Sequence, residues 1–222
     1  MGLTIHYDLH SDTRSPREAR RLVEQLRRRA LDLPFAEVGE IIELSGDACD
    51  YEKRDRDDPF RWLLVQAGQY VEREGIHYHV EPKHVIAFGT DPGDGCEEAN
   101  FGLALYPGVM DIKDPRTGRD RRLKTGLAGW CWSSFCKTIY ASRHGVEHFV
   151  KCHLAVVAML DHASKLGVLA AMKDEGDFWT TRNLEALVRQ AGEWDEGMVV
   201  KVKETFGDDI FTPKPQPEGP AK

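Results

Sequence analysis

The segment from Val146 to Leu166 constrains the fold most, because it predicts a long helix that belongs in the interior. Apolar residues cover most of its circumference between Leu154 and Leu160, and a helix that is apolar on nearly all sides has to be buried. Gly167 follows directly and suits the left-handed position that ends many helices. We therefore expect the rest of the chain to be built around this helix.

A second C-terminal helix is predicted from Asn183 to Phe206, where apolar side chains again recur at helical spacing. We therefore expect residues 145–207 to be the helical part of the domain. The proline-rich stretch 211–222 predicts a flexible tail. We expect residues 1–210 to form a single α+β domain.

The N-terminal part predicts a β-α-β opening. Residues Leu3–Leu9 alternate between apolar and polar, as a half-buried strand does. Ser15 to Glu18 combine an N-cap, a proline suited to the first helical turn and a capping-box carboxylate. A helix from Pro16 to Ala30 should follow, and then a strand within Phe35–Leu44. If the two strands are parallel, the crossover should be right-handed.

The middle of the chain predicts a short helix and an antiparallel meander. The helix should begin at Pro59 and end at Gly75. The strand-like runs are Ile76–Val80, Val85–Phe88, Phe101–Tyr106 and, after a turn at 114–120, a hairpin candidate at Leu127–Trp132. The pattern favours a two-layer α+β fold with two packed C-terminal helices, for which a ferredoxin-like arrangement is one candidate.

Composition limits the class of protein. The chain of 222 residues carries a net charge of −7, which argues against nucleic acid as the default partner, because phosphates require a surplus of cations. No window approaches the about 20 apolar residues of a membrane span, and no secretory leader is evident. The five cysteines are scattered and indicate reduced thiols. We expect a soluble, cytoplasmic protein without a membrane partner.

The segment Gly129–Gly145 concentrates the residues most suited to a site, at a transition from strand to helix. Alternation places Trp130 and Trp132 on one face of the strand and Cys131 on the other. The two tryptophans are a candidate ligand wall or a cover for the central helix. Lys137, with hydroxyls and backbone amides, suits an anion. The ligand-binding candidates are Trp130, Trp132, Ser133, Ser134, Lys137, Tyr140 and His144.

Three residues are candidates for catalysis. Cys136 is a possible nucleophile whose proton Lys137 or His144 would take, although a buried, inert cysteine is the ordinary alternative. His153 lies on the apolar stripe of the central helix, where it is either a core histidine with one hydrogen bond or a base that faces the Gly129–Gly145 segment.

Three histidines are candidate metal ligands. His77 and His79 share one strand face, and His84 would approach from the next strand. Asp8-x-His10-x-Asp12 has a similar pattern, but we interpret it as a helix-entry loop. The acidic, glycine-rich loop 91–98 suits a solvated hairpin better than a cation site. No familiar nucleotide motif occurs, and we predict no cofactor and no metal.

The leading hypothesis is a cytoplasmic protein that binds a polar or anionic ligand, or a protein partner, through Gly129–His144. One alternative is an enzyme, a hydrolase or transferase, that uses Cys136 or a metal at His77 and His79. A second alternative is a nucleic-acid-binding accessory protein that uses the arginine-rich stretches 14–29 and 116–124. The oligomeric state does not follow from the sequence.

Overall fold

The computed structural model describes residues 3–114, 116–214 and 217, and its centre is a six-stranded sheet. The strands are β1 (Thr4–Ser11), β2 (Glu37–Val38), β3 (Ile42–Ser45), β4 (Gln69–Arg73), β5 (Ile76–Val80), β6 (His84–Phe88), β7 (Thr90–Asp91), β8 (Phe101–Leu105), β9 (Val109–Lys113), β10 (Asp120–Lys124), β11 (Trp130–Lys137) and β12 (Leu169–Asp174). The helices are α1 (Pro16–Leu31), α2 (Pro59–Ala67), α3 (Val146–Lys165), α4 (Phe178–Thr181), α5 (Leu184–Arg189) and α6 (Gly197–Phe206).

The sheet has the strand order β12-β1-β11-β8-β6-β3, and every neighbouring pair is antiparallel. Strand β2, which directly follows α1, pairs with β7 outside this sheet. Strands β1 and β3 both belong to the sheet but are not neighbours, because β11, β8 and β6 lie between them. The predicted α+β class is confirmed. The β-α-β opening spans most of the sheet width instead of making two adjacent strands.

Helix α1 forms where its capping pattern predicts it. The Ser15 side chain accepts a hydrogen bond from the backbone N–H of Glu18 (3.4 Å), which satisfies one of the free donors at the helix start. Four residues are buried along one face, namely Ala19, Val23, Leu26 and Ala30. This face packs on β6, β8 and α3.

The central helix is confirmed as α3, and all residues from Leu154 to Leu160 are buried. It contacts α1, β12, α5 and α6. A buried ion pair joins it to the C-terminal part of the chain, because both terminal nitrogens of Arg182 donate to the Asp161 carboxylate, at 3.0 and 2.8 Å. Arg182 also donates to the Ile210 carbonyl oxygen (3.1 Å).

The middle of the chain departs from the prediction. Helix α2 ends at Ala67, because the backbone leaves the helical region at Gly68 and Gln69–Arg73 becomes a strand. Gly75 does not end a helix; it has a positive φ of 76° in the turn between β4 and β5. The β6–β8 pair of the expected meander is confirmed, whereas β5 pairs with β4.

The turn expected at 114–120 joins β9 to β10, although its Pro115 lies outside the described residues. The strand that follows, β11, enters the six-stranded sheet instead of completing a hairpin with that turn. Leu169–Asp174, which lies within the expected helical part 145–207, instead forms the edge strand β12.

The single helix expected over 183–206 is divided into α5 and α6, both of which pack on α3. Gly192 lies in the break, where a Cβ atom would come within 2.2 Å of Val146 Cγ2. The backbone therefore approaches α3 more closely than a side chain allows. Of the expected tail, residues 215, 216 and 218–222 lie outside the described part of the chain.

Candidate functional site

Two segments that the sequence marks separately are direct neighbours in the sheet. Strand β1 pairs with β11 so that His10 lies opposite Cys131 and Asp8 lies opposite Ser133. Paired residues of an antiparallel ladder point to the same face. The alternation therefore divides both strands into an inner face and an outer face.

The inner face belongs to the core. Trp130 and Trp132 are fully buried, and Trp132 Nε1 donates to the Asn100 carbonyl oxygen (2.9 Å), which also accepts from the Tyr7 hydroxyl (2.8 Å). The Trp130 ring lies 5.0 Å from the ring of His84. The two indoles therefore pack in the interior as the core alternative expects, and they do not form a wall that faces solvent.

The candidate nucleophile Cys136 also lies on the inner face. It is fully buried, and its Sγ donates to the Glu97 carbonyl oxygen (3.1 Å). Burial raises the pKa of this thiol, and the nearby charges of Glu97, Cys152 and Asp91 raise it further. The enclosure of Cys136 and the raised pKa of its thiol favour the alternative of a buried, inert cysteine over a nucleophile.

The outer face continues beyond β11 into a cationic group around one exposed ring. Lys137 Nζ lies 4.9 Å from the centroid of Tyr140, and Arg143 Cζ lies 4.8 Å from the same centroid. The Tyr140 side chain is 45% exposed. His144 is exposed beside them, and its ring lies 5.5 Å from His148. We call Lys137, Tyr140, Arg143 and His144 the Tyr140 cluster.

The cations of the Tyr140 cluster have no acidic partner in the described part of the chain: no ion pair there includes Lys137 or Arg143. The nearby Glu97 contacts Lys137 through the backbone, where the Glu97 N–H donates to the Lys137 carbonyl oxygen (3.0 Å). The charges are therefore held by the aromatic ring and remain available to an anion.

A shallow groove follows the outer face between β1, β11 and β12. It has a volume of about 380 Å³ and is lined by His6, Ser133, Phe135 and Lys173 among others. Phe135 is 48% exposed and lies 5.9 Å from the His6 ring. The same Phe135 lines a second groove of about 390 Å³ beside Trp62, which is 75% exposed. Phe135 precedes Lys137 by two residues on the same face of β11, so it supplies apolar surface beside the Tyr140 cluster, whereas the groove beside Trp62 is also lined by the acidic Glu97 and Glu98.

At the opposite end of β11, three side chains form a chain of contacts. His10 Nδ1 lies 3.4 Å from Cys131 Sγ, and His10 Nε2 lies 2.9 Å from Asp12 Oδ1. The Asp12 side chain is 96% exposed. Burial raises the pKa of the Cys131 thiol, and the carboxylates of Asp8 and Asp12 add to the effect. Cys131 is therefore a thiol at neutral pH with a base in contact.

His153, a candidate base, is a buried structural residue. Its Nδ1 lies 2.9 Å from Thr138 Oγ1 and its Nε2 lies 3.4 Å from Asp174. Burial alone raises the pKa of Asp174, but the His153 charge and the backbone N–H groups of Trp179 and Gly176 lower it overall. The side chain of His153 is completely enclosed, so it does not reach a solvent-facing site.

The candidate metal ligands are not brought together. His77 and His79 lie on β5, which pairs only with β4, whereas His84 lies on β6 in the large sheet. His84 Nε2 instead contacts Glu43 (2.9 Å). Within residues 3–114 and 116–214, no three His, Cys, Asp or Glu side chains are close enough to hold a metal ion.

Part of each arginine-rich stretch is neutralised by acidic neighbours, whereas Arg14, Arg17, Arg28 and Arg29 form no ion pair within the described residues. On α1, the ion pairs join Arg20 to Glu24 and Glu43, Arg21 to Glu18, and Arg27 to Glu40. Beyond β9, Arg116 and Arg121 both pair with Glu74. Carboxylates at these positions oppose phosphate binding, because each one repels the anion that its arginine would attract.

Sequence analysis did not identify Arg143, Phe135 or the contact between His10 and Cys131. The signal for Phe135 was available, since it alternates with the buried tryptophans and must therefore face outwards. The His10–Cys131 contact depends on strand pairing, which a local pattern does not encode.

Comparison with protein-family models, curated proteins and solved structures finds no significant match. Among the helices of the described residues, none has the length and apolar character needed to cross a membrane.

Proposed function

We propose that this chain is a cytoplasmic binding protein that recognises a small anionic ligand at the Tyr140 cluster. The observation that carries the proposal is that Lys137 and Arg143 share one exposed aromatic ring without an acidic partner among the described residues. The cytoplasmic location is supported by the five free cysteines, since reducing compartments keep thiols unpaired.

The contrast with the rest of the surface supports this proposal. The chain has 37 acidic and 30 basic residues, and Arg20, Arg21, Arg27, Arg116 and Arg121 already contact carboxylates. Two cations held near one ring lose less side-chain entropy when they bind an anion. Charge-assisted hydrogen bonds from lysine and arginine are also stronger than neutral ones. Phe135 supplies adjacent apolar surface for the remainder of a ligand.

The test is calorimetric titration of the full chain with phosphate, sulfate, citrate and adenosine monophosphate at low ionic strength. We expect at least one of these anions to bind, and the double variant Lys137→Met/Arg143→Met to weaken that binding about tenfold or more. The matched control is Lys83→Met/Arg28→Met, since both residues are exposed. Equal loss in both double variants, or no binding of any anion, would contradict the proposal.

The enzyme alternative now rests on Cys131, because the chain of Cys131, His10 and Asp12 resembles a nucleophile, its base and an orienting carboxylate. In this second candidate function, His10 Nδ1 takes the thiol proton while Cys131 Sγ adds to a carbonyl carbon, so that the C–S bond forms as the C=O π bond breaks and its electron pair moves to the oxygen. Because the raised pKa keeps Cys131 protonated at neutral pH, His10 has to take the thiol proton as the sulfur attacks.

Alkylation by iodoacetamide tests this second candidate without a known substrate. We expect His10→Ala to slow the modification of Cys131 about tenfold or more at pH 7.5, as mapped by peptide mass spectrometry. His6→Ala, a change on the same strand face, should leave the rate unchanged. An unchanged rate in His10→Ala would remove the nucleophile hypothesis.

A further inference from the structure

A loop that precedes β8 is held against α3 by two side chains of that helix. Cys152 Sγ donates to the Pro92 carbonyl oxygen (3.0 Å), and His148 Nε2 donates to the Asp94 carbonyl oxygen (2.9 Å). A Cβ atom at Gly93 would lie 3.0 Å from Cys152 Sγ. The loop therefore passes directly over the Cys152 thiol.

Cys96 lies in the same loop, where its backbone N–H donates to the Gly93 carbonyl oxygen (3.0 Å), and its side chain interacts electrostatically with that of Cys152. Both cysteines are free thiols. Cys96 is half-buried whereas Cys152 is fully buried, so the Cys96 side gives solvent access to the pair. His148 Nε2 lies 3.5 Å from Cys152 Sγ.

The electrostatics of the two thiols differ, because the interaction with Cys152 and burial raise the pKa of Cys96, whereas the pKa of Cys152 is lowered. The interaction with Cys96 lowers the pKa of Cys152, burial opposes this, and the Lys151 charge adds to the lowering. By contrast, burial raises the pKa of both Cys49 and Cys136. A thiol with a lower pKa is the one that peroxide oxidises first, provided that the oxidant can reach it.

We propose that Cys96 and Cys152 form a reversible disulfide when the protein meets a peroxide. One thiol is oxidised by hydrogen peroxide to a sulfenic acid with release of one water molecule. The second thiol then displaces the hydroxyl group, which leaves with its proton as a second water, and the S–S bond forms. Two electrons pass from the thiols to the peroxide, and a small dithiol returns the pair to its reduced state by exchange.

The disulfide would tie the loop 92–98 covalently to α3. This loop also contacts the Tyr140 cluster, because a Cβ atom at Gly95 would lie 2.6 Å from the Tyr140 carbonyl oxygen. The disulfide would therefore form next to the proposed anion site. An effect of the disulfide on anion binding rests on the proposed function, whereas formation of the disulfide does not.

The experiment uses the full chain, reduced with dithiothreitol, desalted, and treated with hydrogen peroxide before free thiols are alkylated at acidic pH. We expect peptide mass spectrometry to find a cross-linked peptide pair containing Cys96 and Cys152, and dithiothreitol to remove it. Cys96→Ser and Cys152→Ala should each abolish the cross-link, whereas Cys49→Ser should retain it.

The wild-type peptide map decides the question even if a cysteine variant does not fold. Cross-links that join Cys136 to either partner, or that form equally well in guanidinium chloride, would overturn the proposal, as would oxidation of the other cysteines with no Cys96–Cys152 product. Anion titration of the oxidised and reduced protein reports separately on the Tyr140 cluster. Failure of the proposed function therefore leaves the disulfide result intact.

Discussion

Lys137 Nζ lies 4.9 Å from the centroid of the Tyr140 ring, and this cation–π contact replaces the carboxylate partner that a structural lysine would need. An exposed contact of this kind contributes about 0.5–1 kcal/mol. We therefore expect Lys137→Met to change the free energy of unfolding by less than about 1 kcal/mol. Urea melts provide the measurement. A loss of several kcal/mol would indicate a buried partner and would contradict the surface role of Lys137.

Trp130 provides the opposite case on the same strand. Its side chain is fully buried against His84 and the core, so Trp130→Ala should lower the free energy of unfolding by about 3–5 kcal/mol, through lost burial and the cavity that remains. Urea melts of this variant and of Ser133→Ala, a substitution on the outer face of β11, should differ clearly. Similar melts for the two would show that Trp130 is not part of the core.

The sequence predicts α1 and α3 well because their signals are local. Ser15 and Glu18 fix the start of one helix, and the apolar run around Leu154 makes the other central. The division of the second C-terminal helix was not predictable from periodicity. It depends on the close approach of Gly192 to Val146, which is a tertiary contact that outweighs local propensity.

The candidate site shows the same limit. Alternation along β11 separates the tryptophans from Cys131, but it does not say which face the helices cover. The pairing of β1 with β11 brings His10 to Cys131 across most of the chain length. Exposed Phe135 was overlooked because an apolar side chain is expected to be buried, although many are not.

The buried contact between His153 and Asp174 predicts a pH dependence of stability. Because the pKa of Asp174 is lowered in the folded state, its contribution is present above the unfolded value of about 4 and is lost as the pH falls through the folded value. Asp174→Asn should therefore make stability less dependent on pH between about pH 5 and pH 2. Chemical melts across this range provide the check, and an unchanged slope would contradict it.

The Asp161–Arg182 pair should be costly to break. The Arg182 side chain is 1% exposed, so Asp161→Asn leaves a buried guanidinium without its counter-charge, and we expect a loss of about 3–5 kcal/mol. The double variant Asp161→Leu/Arg182→Met replaces both charges by apolar side chains. It should lower the free energy of unfolding by less than Asp161→Asn alone does. Thermal and urea melts of both variants test this order, and the reverse order would show that the charge is not what the fold requires.

Gly95 links the loop over Cys152 to the Tyr140 cluster through a close backbone contact. It has a φ of +81°, and an added Cβ atom would lie 2.6 Å from the Tyr140 carbonyl oxygen and 2.9 Å from the Ala141 nitrogen. Gly95→Ala therefore combines backbone strain of about 1–2 kcal/mol with a clash that the loop must relieve by moving. Gly118→Ala is the matched control, since Gly118 has a φ of +69° but open space around it.

We expect urea melts to show a clearly larger loss of stability for Gly95→Ala than for Gly118→Ala. We also expect peroxide treatment to form the Cys96–Cys152 cross-link more slowly in Gly95→Ala. Equal melts for the two glycine variants would mean that only the positive φ matters at Gly95 and that the loop does not press against Tyr140.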